Sequence, residues 1–215
     1  MNVQFGCGLC TPDGWSHFDV SPSMLLSRIP FMSRLLKLPA WSKTVRYGDI
    51  SRGLPIPPAS CDRVYSDQVI EHLTPEDVRK ALPNILSMLK PGGVFRSFLP
   101  DLEFSFEIYL EAKKQGRAST AASEFVASID MGLERRGGGL ASLRSLFGNS
   151  RHQWAWDEAS IRSELEAAGF AGFRRALYRD SGDAVFDAIE SHSEYRDHPR
   201  VLGFEVRRPQ AAGSC

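Results

Sequence analysis

The sequence predicts an α/β fold built on an open, mainly parallel sheet with helices on both faces. Three observations predict it: strand and helix patterns alternate along the chain, 215 residues suffice for one domain with a sizeable core, and a glycine turn follows the first strand. In such sheets the ligand site lies at the carboxyl ends of the central strands. The residues at those ends are therefore the candidates for function.

Hydrophobic alternation and turn residues predict five strands in the first half of the chain. They cover residues 3–5, 15–20, 45–48, 62–66 and 94–99. Only about ten residues separate the first two strands, whereas parallel neighbours normally need a dozen or more for a crossover helix. Two late strands, residues 173–178 and 201–206, resemble a hairpin with a long insertion.

Apolar spacing and capping residues predict the helices. Residues 23–37 form two short helices interrupted at Pro30. A helix from Thr74 to about residue 89 carries Pro83, which should kink it, and ends at the turn of residues 90–93. Further helices cover residues 104–114 and 157–169, the latter capped by Asp157. We expect one domain over residues 1–209, with residues 104–156 as a helical or loop lid over the substrate, and a flexible tail over residues 210–215.

Composition narrows the function classes. The chain has 26 Lys and Arg against 26 Asp and Glu, which argues against a dedicated nucleic-acid binder unless charge is segregated locally. No apolar stretch is long enough to span a membrane and no basic leader is present, so we expect a cytoplasmic protein with no membrane partner. Four cysteines are too few for a disulfide scaffold. We expect a small-molecule substrate, and the oligomeric state stays open.

A glycine turn and two acids follow successive strands. Gly6 and Gly8 permit close approach of a ligand to the backbone, and Asp19 and Asp49 end or follow the next strands. This series predicts a cofactor that contains adenosine. Thr11 replaces the third glycine of the dinucleotide fingerprint, and the first helix N-terminus, which would hold a pyrophosphate, is missing. A cofactor without phosphates fits better.

Six short motifs stand in a characteristic order: FGCG at 5–8, GWSHFD at 14–19, GDI at 48–50, EHL at 71–73, LKPGG at 89–93 and LPDLE at 99–103. With them the chain resembles the class I S-adenosylmethionine-dependent methyltransferases, particularly the small type 11 group. The resemblance implies a Rossmann-like methyltransferase fold with seven strands, in which the sheet is mainly parallel and one late strand is antiparallel. It also implies S-adenosylmethionine as cofactor with S-adenosylhomocysteine as product. Gln4, Cys61 and Pro83 depart from the family pattern.

The resemblance also implies which residues bind the cofactor. The glycine turn would face the methionine portion, the first acid the ribose, the second acid the adenine, and the end of the fourth strand the sulfonium. The implied residues are Gly6, Cys7, Gly8, Asp19, Val20, Asp49, Ile50, Ser66, Asp67 and Gln68. The spacing of Cys7 and Cys10 suggests zinc or redox chemistry, but no second pair exists, so we favour a small residue in the turn.

Residues 68–72 raise the question of a metal. If they form one helical turn, Gln68, Glu71 and His72 share a face, and His152 could add a ligand. Some related methyltransferases carry Glu-x-x-Glu-His here as a divalent-metal site, and Gln68 departs from that motif. Because many relatives lead from this segment into the next helix without a metal, a metal site is not favoured.

The methyl acceptor is the least determined feature. No Asp-Pro-Pro-Tyr-like motif follows the fourth strand, which favours an oxygen nucleophile over an amide or exocyclic amine. A hydroxyl acceptor needs a base, for which Asp67, His72 and His152 are candidates. Trp154 and Trp156 either wall the substrate pocket or pack in the core. A non-catalytic, cofactor-binding or partner protein is the alternative, and a nicotinamide-dependent oxidoreductase is a third hypothesis.

Overall fold

The computed structural model describes residues 1–132, 151–196 and 200–210, and these residues form one sheet of seven strands. The strands are β1 (Asn2–Phe5), β2 (Ser16–Asp19), β3 (Arg46–Tyr47), β4 (Cys61–Asp67), β5 (Leu89–Pro100), β6 (Ala171–Ala176) and β7 (Val201–Arg207). Their order is β3-β2-β1-β4-β5-β7-β6, and β7 alone runs antiparallel to its neighbours β5 and β6. The predicted mainly parallel sheet with an antiparallel late strand is confirmed.

Helices connect the strands and cover the sheet. They are α1 (Pro22–Ser27), α2 (Met32–Leu35), α3 (Pro75–Met88), α4 (Leu102–Lys114), α5 (Ala118–Ser128), α6 (Glu158–Ala167) and α7 (Ala184–Glu190). The predicted caps are present, since Thr74 accepts from the Asp77 amide and Asp157 forms a capping box with Ser160. The sequence predicted neither α5 nor α7.

Two strand boundaries differ from the prediction, whereas the predicted helix α3 is present and includes Pro83. Pro83 is exposed, and apolar side chains on the opposite face hold the helix to the core. The turn of residues 90–93 lies within β5, which starts at Leu89 opposite Cys61 and bulges before Val94. Strand β6 ends at Ala176, two residues before the predicted end.

The core has two parts on opposite faces of the sheet. The larger part contains apolar side chains of α3 and α6, together with inward residues of the central strands such as Val64 and Phe95. The smaller part gathers Tyr65 and Phe98 of the sheet with Phe186 of α7 and Trp15 from the β1–β2 connection. Both faces of the sheet are therefore covered.

The connection between β1 and β2 spans residues 6–15, all of them described, and contains no helix. The two strands are nevertheless parallel neighbours, with Val3 opposite Ser16. The predicted absence of the crossover helix is confirmed. Much of the predicted lid (residues 133–150), most of the predicted tail and Cys215 lie outside the described residues. Among the helices that the structure does describe, none is long and apolar enough to cross a membrane.

Candidate active site

The glycine turn after β1 is tied to the end of β2. Gly6 and Gly8 both adopt a left-handed backbone, with φ of 61° and 54°. The backbone amide of Gly8 donates to Oδ2 of Asp19 over 2.9 Å, and the amide of Ser21 donates to Oδ1 over 2.7 Å. Nothing lies within 4 Å of where a side chain of Gly8 would begin. The buried carboxylate of Asp19 thus sits in fixed orientation beside an open turn.

Val69, in the loop after β4, lies against the first glycine of the turn. A Cβ atom on Gly6 would come within 2.4 Å of a methyl group of Val69. Any side chain at residue 6 would therefore displace the β4 loop. The ends of β1 and β4 meet closely only because residue 6 is a glycine.

Several predicted cofactor residues lie along the same edge of the sheet. Burial raises the pKa of Cys7 to about 12, and the negative charge of Asp19 acts in the same direction, so the thiol stays protonated. Asp49 caps a 3-10 turn over Ile50–Arg52, accepting from the amide and hydroxyl of Ser51. Ile50 is buried in the larger core, whereas Val20 is partly exposed.

The end of β4 supplies a buried carboxylate. Tyr178, on the turn after β6, donates its hydroxyl hydrogen bond to Oδ1 of Asp67 over 2.8 Å. Burial raises the pKa of Asp67, and the bond from Tyr178 partly lowers it. Cys10 of the glycine turn lies near enough that Asp67 adds to burial in raising the pKa of its thiol. The preceding Ser66 is fully buried, with its hydroxyl 2.8 Å from that of Ser97 in β5.

A second buried carboxylate, Glu71, has no hydrogen-bond partner for either oxygen among the described residues. It lies in a short 3-10 turn over Ile70–His72. Burial raises the pKa of Glu71 to about 8, and the charge of Asp67 adds to the effect. Its backbone carbonyl accepts the amides of Gln153 and Trp154, over 2.7 and 3.2 Å. These bonds hold the segment of residues 151–156, called here the later segment, against the loop that follows β4.

The later segment brings His152 to this carboxylate. Nε2 of His152 lies 3.9 Å from Oε1 of Glu71, and the rings of His72 and His152 meet edge to face at 5.0 Å. Nδ1 of His152 donates to the carbonyl of Ile129 over 2.7 Å, and Nδ1 of His72 donates to the carbonyl of Arg151 over 3.1 Å. Because a carbonyl only accepts, each Nδ1 carries the proton, which leaves the lone pair of the neutral ring on Nε2.

Glu71, His72 and His152 each offer a ligand atom within 4.8 Å of the others, so the three could hold a divalent cation. The predicted helical turn from Gln68 to His72 is wrong. Gln68 has a φ of 55° and its backbone amide donates to the carbonyl of Phe98, so the short turn begins only at Ile70. Gln68 therefore does not share a helical face with the other two residues.

Trp154 and Trp156 were predicted either to wall the substrate pocket or to pack in the core, and the structure gives them different environments. Trp156 is buried in the larger core and bridges to Asp101 at the start of α4. Trp154 is 46% exposed, with its ring 6.3 Å from that of Trp156. Trp156 is a core residue, and Trp154 is the one available to a substrate.

Sequence reasoning missed the residues that the β6–β7 insertion contributes. Tyr178 also accepts a hydrogen bond from Ser193, and its ring stacks on Phe98 at 3.9 Å. Burial raises the pKa of Tyr195, and the negative charges of Glu194 and then Asp67 raise it further. The run of Asp, Ser and Gly at 180–183 was the available signal, since it ends β6 early and turns Tyr178 inward.

Comparison with known proteins gives one family match and several similar folds. Residues 16–97 match the family model described as a methyltransferase domain, type 11. No curated protein matches the chain in sequence. A structure of SAM-dependent methyltransferases from Methanosarcina mazei has a TM-score of 0.51 at 13% identity, covering 98% of this chain and 92% of the other. A SAM-dependent methyltransferase from Thermotoga maritima has a TM-score of 0.50 at 16% identity, covering 96% and 81%. The chain has the class I methyltransferase fold.

Proposed function

We propose that this chain, whose residues 16–97 match the family model of a methyltransferase domain, transfers a methyl group from S-adenosylmethionine to an oxygen nucleophile of a small molecule. The observation that carries the proposal is the bond from the Gly8 amide to Asp19 beside the open turn. S-Adenosylmethionine would supply an electrophilic methyl group bound to a positively charged sulfur.

The residues at the carboxyl ends of β1 and β2 are suited to binding an adenosine. Each oxygen of Asp19 accepts one backbone hydrogen bond and can accept more, so the carboxylate can bind both hydroxyls of a ribose. Gly8 leaves space for the ligand to approach the backbone. Oδ1 of Asp49 accepts from both the amide and the hydroxyl of Ser51, whereas Oδ2 pairs with the exposed Arg52 and can accept a further hydrogen bond from an adenine amine.

We assign the role of base to His152 rather than Asp67 or His72. Its Nε2 carries the lone pair and lies beside Glu71, so one acceptor hydroxyl can contact both side chains. Asp67 is engaged by the hydroxyl of Tyr178. Nε2 would take up the proton of the hydroxyl as its oxygen receives the methyl group, and Glu71, whose raised pKa keeps it protonated near neutral pH, can donate a hydrogen bond to the acceptor.

Calorimetric titration with S-adenosylmethionine and S-adenosylhomocysteine tests the cofactor site. Asp19→Ala should weaken both by roughly 10- to 100-fold, because hydrogen bonds to a charged group are lost. Asp13→Ala, an exposed acid in the same connection, is the matched control. Equal affinity in the two variants, with circular dichroism showing both folded, would contradict the assignment of Asp19.

A methyl-transfer screen over hydroxylated acceptors tests the reaction. His152→Gln should lower kcat while leaving the affinity for S-adenosylhomocysteine unchanged. Cofactor binding without transfer to any acceptor would instead support the non-catalytic alternative.

A further inference from the structure

The segment of residues 20–48, called here the basic segment, concentrates positive charge next to the cofactor turn. It contains no Asp or Glu, although the whole chain has equal numbers of acids and bases. Five cations are exposed in it: Arg28, Arg34, Lys37, Lys43 and Arg46. None of the five forms an ion pair with a described residue, whereas Arg63, Arg79 and Lys90 elsewhere all do. Although the net charge of the chain is zero, positive charge is therefore concentrated on this part of its surface.

The same segment exposes large apolar side chains. Phe31 is 84% exposed and Leu35 is 74% exposed, where Phe31 is the N-cap of α2 and Leu35 its last residue. Leu25 of α1 and Ile29, two residues beyond the end of α1, are exposed as well. Phe31 has a φ of 66°, which is unfavourable for an aromatic residue. Exposed apolar groups combined with backbone strain are typical of a binding surface.

The opposite side of the basic segment anchors it to the domain. Met24 and Val45 are buried together with Cys7 of the glycine turn, and Trp41 packs against them. The segment therefore has one face fixed beside the cofactor turn and one face of cations and apolar side chains in solvent.

A surface depression of about 420 Å³ lies within the basic segment. Arg34, Ser27 and Ser33 line it and supply hydrogen-bond donors, and its lining includes no acid. Trp41 lines it as well, although its indole N–H is buried. The guanidinium and the hydroxyls together suit a phosphate group.

We propose that the basic segment docks on the surface of a bilayer that contains anionic phospholipids. Phe31 and Leu35 enter the interface, the five cations contact the headgroups, and Arg34 binds a lipid phosphate in the depression. Such binding needs no spanning helix, so it is compatible with the helices of the described residues, none of which could cross a membrane. Because Asp19 directly precedes the segment, the docked surface lies beside the carboxyl edge of the sheet.

Flotation of the full chain with lipid vesicles tests the proposal. The chain should float with vesicles that contain phosphatidylglycerol, remain unbound with phosphatidylcholine alone, and be released by salt. Arg34→Glu with Lys37→Glu should lower the affinity by roughly fivefold for each cation lost. Phe31→Ser with Leu35→Ser should abolish flotation.

Matched controls lie on α4. Lys113→Glu with Lys114→Glu, and Phe106→Ser with Leu110→Ser, change exposed residues of the same types and should bind like the unmodified chain. Circular dichroism establishes that each variant is folded. Equal binding to neutral vesicles, no binding at all, or equal losses in the α4 variants would overturn the proposal. So would a dimer in light scattering that the Phe31 and Leu35 substitutions dissociate, since a second copy would then cover this face.

Discussion

At the residue scale, Gln4 departs from the family pattern and lies opposite His17 of the neighbouring strand β2. Burial lowers the pKa of His17, and its Nε2 lies 3.0 Å from the carbonyl oxygen of Pro12. Nδ1 of His17 lies 2.8 Å from Oε1 of Gln4, an amide oxygen that accepts from a ring N–H. A carboxylate at residue 4 would bury a negative charge at this place. The amide at residue 4 therefore links β1 and β2 without burying a charge.

Glu71 makes stability depend on pH. Its pKa is about 8 in the folded chain against 4.5 for an ordinary glutamate, so between these values the folded state keeps a proton that the unfolded state has released. The free energy of unfolding should therefore fall as pH rises from 4.5 to 8. Glu71→Gln should be as stable as the unmodified chain near pH 5 and more stable by a few kcal/mol near pH 8. Urea unfolding in the presence of EDTA measures both, and parallel pH profiles would contradict the expectation.

At the scale of elements, a buried cation fixes the turn between β6 and α7. Arg96 of β5 is fully buried and donates to the carbonyl of Leu177 over 2.5 Å and to Asp180 over 2.8 Å. It also donates to Glu190 at the end of α7 over 2.5 Å and to Glu205 of β7 over 3.2 Å. One side chain thus joins β5, β7, the turn and the helix. A buried charge with this many partners specifies a position for the turn.

The position of the turn matters because Tyr178 lies on it. Tyr178→Phe keeps the stacking on Phe98 and removes the donor to buried Asp67, which should lower the free energy of unfolding by about 1–3 kcal/mol. Tyr195→Phe, on a partly exposed ring, is the control and should cost less than about 0.5 kcal/mol. Chemical denaturation at pH 7 compares them. Similar losses would mean that the hydroxyl of Tyr178 has no special role.

At the scale of the whole molecule, the two faces of the sheet are covered in different ways. Helices α3 and α6 pack on one face, as expected for an α/β fold. No crossover helix follows β1, and the aromatic cluster on the other face joins Trp15 to Phe186 of α7, with ring centres 5.9 Å apart. A helix inserted late in the chain therefore covers surface near the first strands.

The substitution Trp15→Ala tests how much the contact between the β1–β2 connection and α7 contributes to stability. It should destabilise the chain by about 2–3 kcal/mol, because the aromatic cluster loses its contact between the β1–β2 connection and α7. Trp154→Ala removes an equally large but more exposed side chain and should cost less than about 1 kcal/mol. Thermal or urea unfolding gives both values, and a smaller loss for Trp15 than for Trp154 would refute the account.

The sequence predicted those features that neighbouring residues determine. The glycine turn, the caps of α3 and α6 and the first five strands each depend on a short pattern. The meeting of Asp67 with Tyr178 and of Glu71 with His152 depends on pairs far apart in the chain, for which a single sequence holds no periodic signal. Helix α7 was missed because its seven residues stand between turns and give only two apolar contacts, Phe186 and Ile189.

The bond between Gly8 and Asp19 has a consequence for how the chain assembles. It joins residues 11 apart, whereas the bond between Asp67 and Tyr178 joins residues 111 apart and that between His72 and Arg151 joins residues 79 apart. Closing a long loop costs more entropy and is slower than closing a short one. We therefore expect the adenosine side of the site to form early in folding, from local contacts, and the acceptor side to form last.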